Sequence, residues 1–229
     1  EIEVWLEFRR VLFRSHTSIW IAQTKGSKKP RALTAEGKDS TPRWSPDGNQ
    51  VAFIRGSEGG NQIYMIDMDG GEAQQLTNLP EGVISQMLWC PKGCQLAISY
   101  RKTEKPYTHS AAEKRKENKE SDPPIITEDA WYRLDGDGYF GHARFQLYLV
   151  DAETGAYKNI WKKDTMGYFS FCWSPKGDKI AITTNTSKKA LTDSRPTRIV
   201  MYDIATAKSH TLQNCKIGRA HVWTPVTPQ

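Results

Sequence analysis

The sequence reads as all-β: a partial β-propeller of about three to four blades, each a four-stranded antiparallel sheet. Three observations predict it. A hairpin of the form Trp-x-Pro-x-Gly occurs three times, as Trp44-Ser-Pro-Asp-Gly48, Trp89-Cys-Pro-Lys-Gly93 and Trp173-Ser-Pro-Lys-Gly177. Each copy runs into the same short apolar strand: Gln50-Val-Ala-Phe53, Gln95-Leu-Ala-Ile98 and Lys179-Ile-Ala-Ile182. The first two Trp stand 45 residues apart, which is the length of four short strands with their turns.

Each part of the repeat has a physical reason. Pro fixes φ at the start of the turn, and Gly reaches the positive φ that a tight hairpin requires. The strand that follows is apolar on both faces, Val51 and Phe53 on one and Ala52 and Ile54 on the other. Such a strand belongs between stacked sheets, and the small Ala lets neighbouring sheets come close. A second strand type appears four times, as Ile19-Trp-Ile-Ala22, Ile63-Tyr-Met-Ile66, Leu147-Tyr-Leu-Val150 and Ile199-Val-Met-Tyr202. The last three copies end in an acid, Asp67, Asp151 or Asp203. Ala32-Leu-Thr34 and Gln75-Leu-Thr77 close two units with a short polar-edged strand. The Trp series recurs at one position per unit, so it is assigned to the core.

The spacing also locates an insertion. Trp89 and Trp173 are 84 residues apart, 39 more than the first pair. Counting from each Trp to the acid after the third strand gives the same excess, 62 residues against 23, and places the extra residues at about 99–145. The stretch opens with a polar run, Arg101 to Glu120, holding seven Lys or Arg and four Asp or Glu, which is expected to be a solvated, mobile loop. It continues through Pro123-Pro124 into Trp131-Tyr-Arg-Leu-Asp-Gly-Asp-Gly-Tyr-Phe140, an aromatic-rich hairpin or lip. Residues 1–15 and 216–229 share no pattern with the repeats and resemble translated sequencing adapter. Both are expected to be foreign, leaving the propeller in 16–215. The first is not a signal peptide, because Glu1, Glu3, Glu7 and three Arg interrupt any apolar stretch.

Composition narrows the function classes. The chain has 229 residues, 38% of them apolar and 25% charged, with eight Trp, nine Tyr and seven Phe. That supports a sizeable core and excludes wholesale disorder, and no apolar run approaches the ~20 residues of a membrane helix. The net charge of +6 is modest, and the basic run at Lys114-Arg-Lys116 is interleaved with Glu113, Glu117 and Glu120, so no nucleic-acid partner is expected. Four cysteines (90, 94, 172 and 215) are too few for a disulfide scaffold. They are expected to be reduced thiols of a cytoplasmic protein. Cys90 and Cys94 lie four apart with no second Cys or His pair at ligand spacing, so no zinc site is expected. Gly136-Asp-Gly-Tyr-Phe-Gly141 spells a dinucleotide-binding string, but a strand rather than a helix follows it. Asp135-x-Asp137-Gly138 lacks the later carboxylates of a calcium loop. No cofactor is expected.

The repeat pattern resembles the propellers shared by the Tol-system protein TolB and the prolyl oligopeptidase family. Pro123-Pro-Ile-Ile126, Tyr132-Arg-Leu-Asp-Gly-Asp-Gly-Tyr139 and Leu147-Tyr-Leu-Val-Asp151 resemble the acylaminoacyl-peptidase-type branch of that family. The resemblance covers 16–215. It implies a propeller that gates access of short or N-blocked peptides to a C-terminal α/β-hydrolase domain of the same polypeptide, which is missing from this chain. It also implies that Trp131, Tyr132, Arg133 and Asp135 form a lip facing the substrate. The alternative is a non-catalytic, TolB-like scaffold for protein partners. None of the 17 glycines has Ser two positions later, so the chain has no Gly-x-Ser-x-Gly nucleophile elbow and no catalytic residue can be assigned in it.

Overall fold

The computed structural model describes residues 2–11, 14–25, 27, 29–35, 37–127, 133–134, 138–139, 141–190, 192 and 197–212. The first sheet orders β1 (Ile2–Val11), β2 (Arg14–Gln23) and β3 (Arg31–Ala32) side by side. The second runs through β4 (Asp39–Trp44), β5 (Gln50–Ser57), β6 (Gly60–Asp67) and β7 (Gln74–Gln75). β8 (Gly82–Trp89) and β9 (Gln95–Lys102) begin the third sheet. The chain then leaves it for a 3-10 turn (Lys105–Tyr107), helix α1 (His109–Asn118) and a two-stranded ladder of β10 (Arg133–Leu134) and β11 (Gly138–Tyr139). It returns as β12 (Gln146–Asp151) and β13 (Tyr157–Trp161) to complete the order β8-β9-β12-β13. The fourth sheet is β14 (Ser170–Trp173), β15 (Lys179–Thr184), β16 (Arg198–Asp203) and β17 (Ser209–Thr211). Three full blades and a three-stranded one thus make a partial propeller.

The sheets stack through the side chains that the alternation assigns. Val51 and Phe53 bury against Ile19 of the first sheet. Ala52 and Ile54, on the opposite face of β5, bury against Met87, Leu96, Ile98 and Tyr100 of the third. Ala97, Leu147 and Leu149 then meet Phe171, Ile180, Ile182 and Val200 of the fourth. The three cores are interfaces between blades, so stability is shared by nearest neighbours.

The turns behave as the repeat requires. Ser45, Cys90 and Ser174 each accept from the Gly three residues on, at 2.8–3.0 Å. Those glycines have φ of 76°, 77° and 64°, a region a side chain disfavours. The Trp series does more than fill space. Trp89 Nε1 donates to the Arg43 carbonyl at 3.2 Å, and Trp173 Nε1 donates to the Leu88 carbonyl at 3.3 Å. Each indole therefore ties its own inner strand to the residue before the Trp of the preceding blade.

Two differences from the sequence reading stand out. The run expected to be a mobile loop contains helix α1. It has no buried residue, so there is no apolar face for a 3.6-residue period to reveal. Its ends are capped instead. The Glu81 carboxylate accepts the His109 N–H at 2.9 and 3.0 Å, and Thr108 Oγ1 accepts from Ala111 at 3.4 Å. At the far end Lys119 turns left-handed at φ 57°, while Glu120 donates to Arg115 and Lys119 to Lys116, a Schellman closure. The second difference concerns residues set aside as foreign: β1 pairs with β2 in continuous register from Ile2↔Gln23 to Val11↔Arg14. A period-two apolar string beside an open strand edge suffices for such pairing.

Candidate substrate-facing end of the propeller

The insertion rises from one end of the third blade, where β9 stops and β12 starts, and two carboxylates anchor it. Glu81, just before β8, holds the N-terminus of α1 as described. Glu104, just after β9, accepts the His142 N–H at 2.9 Å, fixing the return of the chain toward β12. Tyr107 Oη donates to the Pro124 carbonyl at 3.0 Å, and Arg115 Nη1 donates to the Pro106 carbonyl at 2.6 Å. The His109 ring reaches the second blade, with Nε2 3.5 Å from Glu58 Oε2.

Most of the exposed large apolar side chains among the described residues gather at this end: Val83, Tyr107, Ile125, Ile126 and Tyr168, with Tyr157 exposed at the other end. Val83, Tyr107 and Ile125 line a cavity of about 140 Å³ together with Gly141 and Ala143. Beside it a wider cleft of about 570 Å³ is bordered by Lys102, Lys105, Arg144 and Lys162 against Glu104 and Asp164, a cationic excess. Asp164 is committed to structure: it is buried and accepts from Gly167 N at 2.7 Å, Thr184 Oγ1 at 2.8 Å, Asn185 N at 2.9 Å and Met166 N at 3.1 Å. Arg101 stacks its guanidinium 4.5 Å above the Phe145 ring. Tyr100 donates to the Pro80 carbonyl at 2.6 Å, and burial pushes its hydroxyl pKa up, so it stays protonated.

Of the four residues read as a lip, Arg133 opens β10, whose pairing Arg133↔Tyr139 and Leu134↔Gly138 forms the hairpin. Trp131, Tyr132 and Asp135 lie outside the described residues. The sequence reading did not single out Glu81, Glu104 or Asp164; Glu81 and Glu104 have partners 28 and 38 residues away, while Asp164 closes its own turn through Met166 and Gly167 and reaches Thr184 20 residues on. A larger groove, about 1000 Å³, lies at the opposite end among the turns, lined by Asp47, Trp89, Cys94, Asp151 and Glu153. Its aspartates serve their own turns. Ser45 holds the Asp47 carboxyl below the usual carboxylate range, and Thr154 does the same for Asp151. Among the described residues no group of three or more His, Cys, Asp or Glu could hold a metal ion.

Stacked antiparallel sheets, Trp bridges from the third and fourth blades and an insertion at one end define a partial β-propeller. The particular likeness is narrower. The family model described as "Dipeptidyl peptidase IV (DPP IV) N-terminal region" matches residues 9–89. The chain is 34% identical over 177 residues to the uncharacterized peptidase YuxL of Bacillus subtilis, covering 76% of this chain and 26% of that protein. The acylaminoacyl peptidase of Pyrococcus horikoshii superposes at TM-score 0.69 with 18% identity, over 92% of this chain and 30% of that one. TolB from Acinetobacter baumannii superposes at 0.52 with 16% identity, over 86% and 37%. This chain is similar to the propeller region of prolyl-oligopeptidase-family peptidases, with repeats of the TolB type, and spans about a quarter of the length of the curated relative.

Proposed function

We propose that this chain is the substrate-gating propeller segment of a serine peptidase of the prolyl oligopeptidase family acting on short or N-blocked peptides. In the whole protein the insertion-bearing end faces a C-terminal α/β-hydrolase domain. The observation that carries this reading is the concentration of exposed apolar side chains and a cationic cleft at that one end. Solvent-facing apolar groups gathered in one place mark a contact surface. Cations beside it suit the carboxylate of a short peptide and disfavour its free N-terminus, which matches N-blocked substrates. The TolB-like similarity supports a second reading, a scaffold for protein partners, which requires no hydrolase domain.

Labelling with a fluorophosphonate probe separates the two. The 229-residue chain alone is expected to take up no label and to cleave neither peptides nor esters, since it contains no nucleophile elbow. The full-length parent polypeptide is expected to label, and removal of residues 105–140 from it to admit longer peptides. An unlabelled parent leaves the scaffold reading standing; a labelled parent with unchanged length preference refutes gating by the insertion.

A further inference from the structure

We propose that Cys90 and Cys94 form a dithiol pair that closes to a disulfide across the β8–β9 turn on meeting a low-molecular-weight disulfide such as oxidised glutathione. The equivalent turn of the next blade shows the geometry. There Ser174 and Asp178 occupy the same two positions, and Ser174 Oγ donates to Asp178 Oδ1 at 2.7 Å. The backbones are alike: Cys90 donates to the Gln95 carbonyl and Gly93 to Cys90 at 2.8 Å, matching Ser174 to Lys179 and Gly177 to Ser174 at 2.9 Å. A Ser Oγ sits where a Cys Sγ would, and an Asp Cγ where a second Sγ would. In a hydrogen bond of that length the two are roughly 3.5 Å apart. Rotation about the two Cα–Cβ bonds would close the remaining distance to the ~2.05 Å of an S–S bond. Cys90 is buried and Cys94 is exposed beside the large groove between turns.

The roles follow from access. The Cys94 thiolate attacks one sulfur of glutathione disulfide; that S–S bond breaks, and one glutathione leaves as thiolate. The Cys90 thiolate then attacks Cys94 Sγ and expels the second glutathione. Two protein thiols are oxidised, one external disulfide is reduced to two thiols, and the two protons pass to the leaving thiolates. Burial pushes the Cys90 thiol pKa up, so its attack speeds as pH rises. Cys90 Sγ also lies 3.7 Å from the Gly177 carbonyl oxygen, and a Cβ at Gly177 would come within 2.7 Å of it. Drawing that sulfur toward Cys94 therefore releases a contact with the neighbouring blade, so oxidation is felt at the interface of blades three and four.

Trypsin supplies the test, because Lys92 lies between the two cysteines. The chain is equilibrated in glutathione buffers of graded ratio, acid-quenched, alkylated, denatured and digested. Folded chain is expected to yield Gly56–Lys92 joined to Gly93–Arg101 by a disulfide, at a ratio of oxidised to reduced glutathione about tenfold lower than the same chain in urea, reflecting pre-positioned thiols. Cys172, exposed as well, serves as the internal reference, taking up one glutathione. In Cys94→Ser, Cys90 should remain free. A mixed disulfide persisting on Cys94 with Cys90 alkylated, or equal ratios folded and unfolded, would overturn the pairing.

Discussion

Thr77→Val tests how a two-residue outer strand can satisfy a buried neighbour. Ile63 directs both its N–H and its carbonyl toward β7. The carbonyl accepts from Leu76 at 2.8 Å, but β7 ends at Gln75, and the N–H is taken by Thr77 Oγ1 at 2.9 Å. The same device serves the first sheet, where Ile19 N donates to Thr34 Oγ1 at 3.0 Å. Thr77 and Ile63 are both buried, so Val, equal in shape, leaves the Ile63 N–H without an acceptor at a cost of about 1–3 kcal/mol. Thr77 Oγ1 also donates to Gln62 Oε1 at 2.9 Å, an acceptor that keeps the Leu79 N–H, so that loss adds at most about 1 kcal/mol. A total near 2–3 kcal/mol, at a urea slope of about 2 kcal/mol/M, lowers the midpoint by about 1 M. Tryptophan fluorescence in urea reads it directly. Thr77→Ser keeps the oxygen and loses one methyl, about 0.8 kcal/mol. A Val variant as stable as the parent, or a Ser variant worse than Val, would show that the methyl and not the hydroxyl matters.

Gly155→Ala should cost about 3 kcal/mol or more by thermal melting, because left-handed strain adds to overpacking; its φ is 69°, and a Cβ there would run into the Leu76 carbonyl. Gly48→Ala, at φ 76° with nothing within 4 Å, should cost only the strain, about 1–2 kcal/mol, and equal losses would refute the contact between blades. Proteinase K should cut first within Lys114–Lys119, since α1 buries nothing; a first cut inside Val51–Ile54 would contradict the blade assignment. Thr154 and Glu153 hold the Asp151 carboxyl below its ordinary value of 3.8, so its stabilisation is complete above that value and lost as pH falls through the lower folded one. Asp151→Asn should therefore flatten the acid limb of a stability–pH curve below about pH 5, and an unchanged limb would discount the turn.

What the sequence determined by itself was everything whose cause is local and repeated. Pro and Gly at fixed offsets set the hairpins, alternation set both faces of β5 and β9, and a Trp every blade marked the inner strands; each signal rests on a few adjacent residues. Even the insertion was legible, as a break in an otherwise regular count. Helix α1 was not, because its support is a carboxylate from Glu81 and a capped terminus rather than a buried face. The Trp indoles were read as packing; only stacking revealed that each N–H reaches a carbonyl of the preceding blade, 46 residues back for Trp89 and 85 for Trp173. The apolar rim at the insertion-bearing end likewise exists only in the tertiary structure. Val83 and Ile125 are far apart in sequence and line one cavity because the insertion leaves the end of β9 beside its partner, the start of β8. Local rules choose strands and turns; which distant carboxylate meets which exposed backbone N–H depends on how the sheets stack.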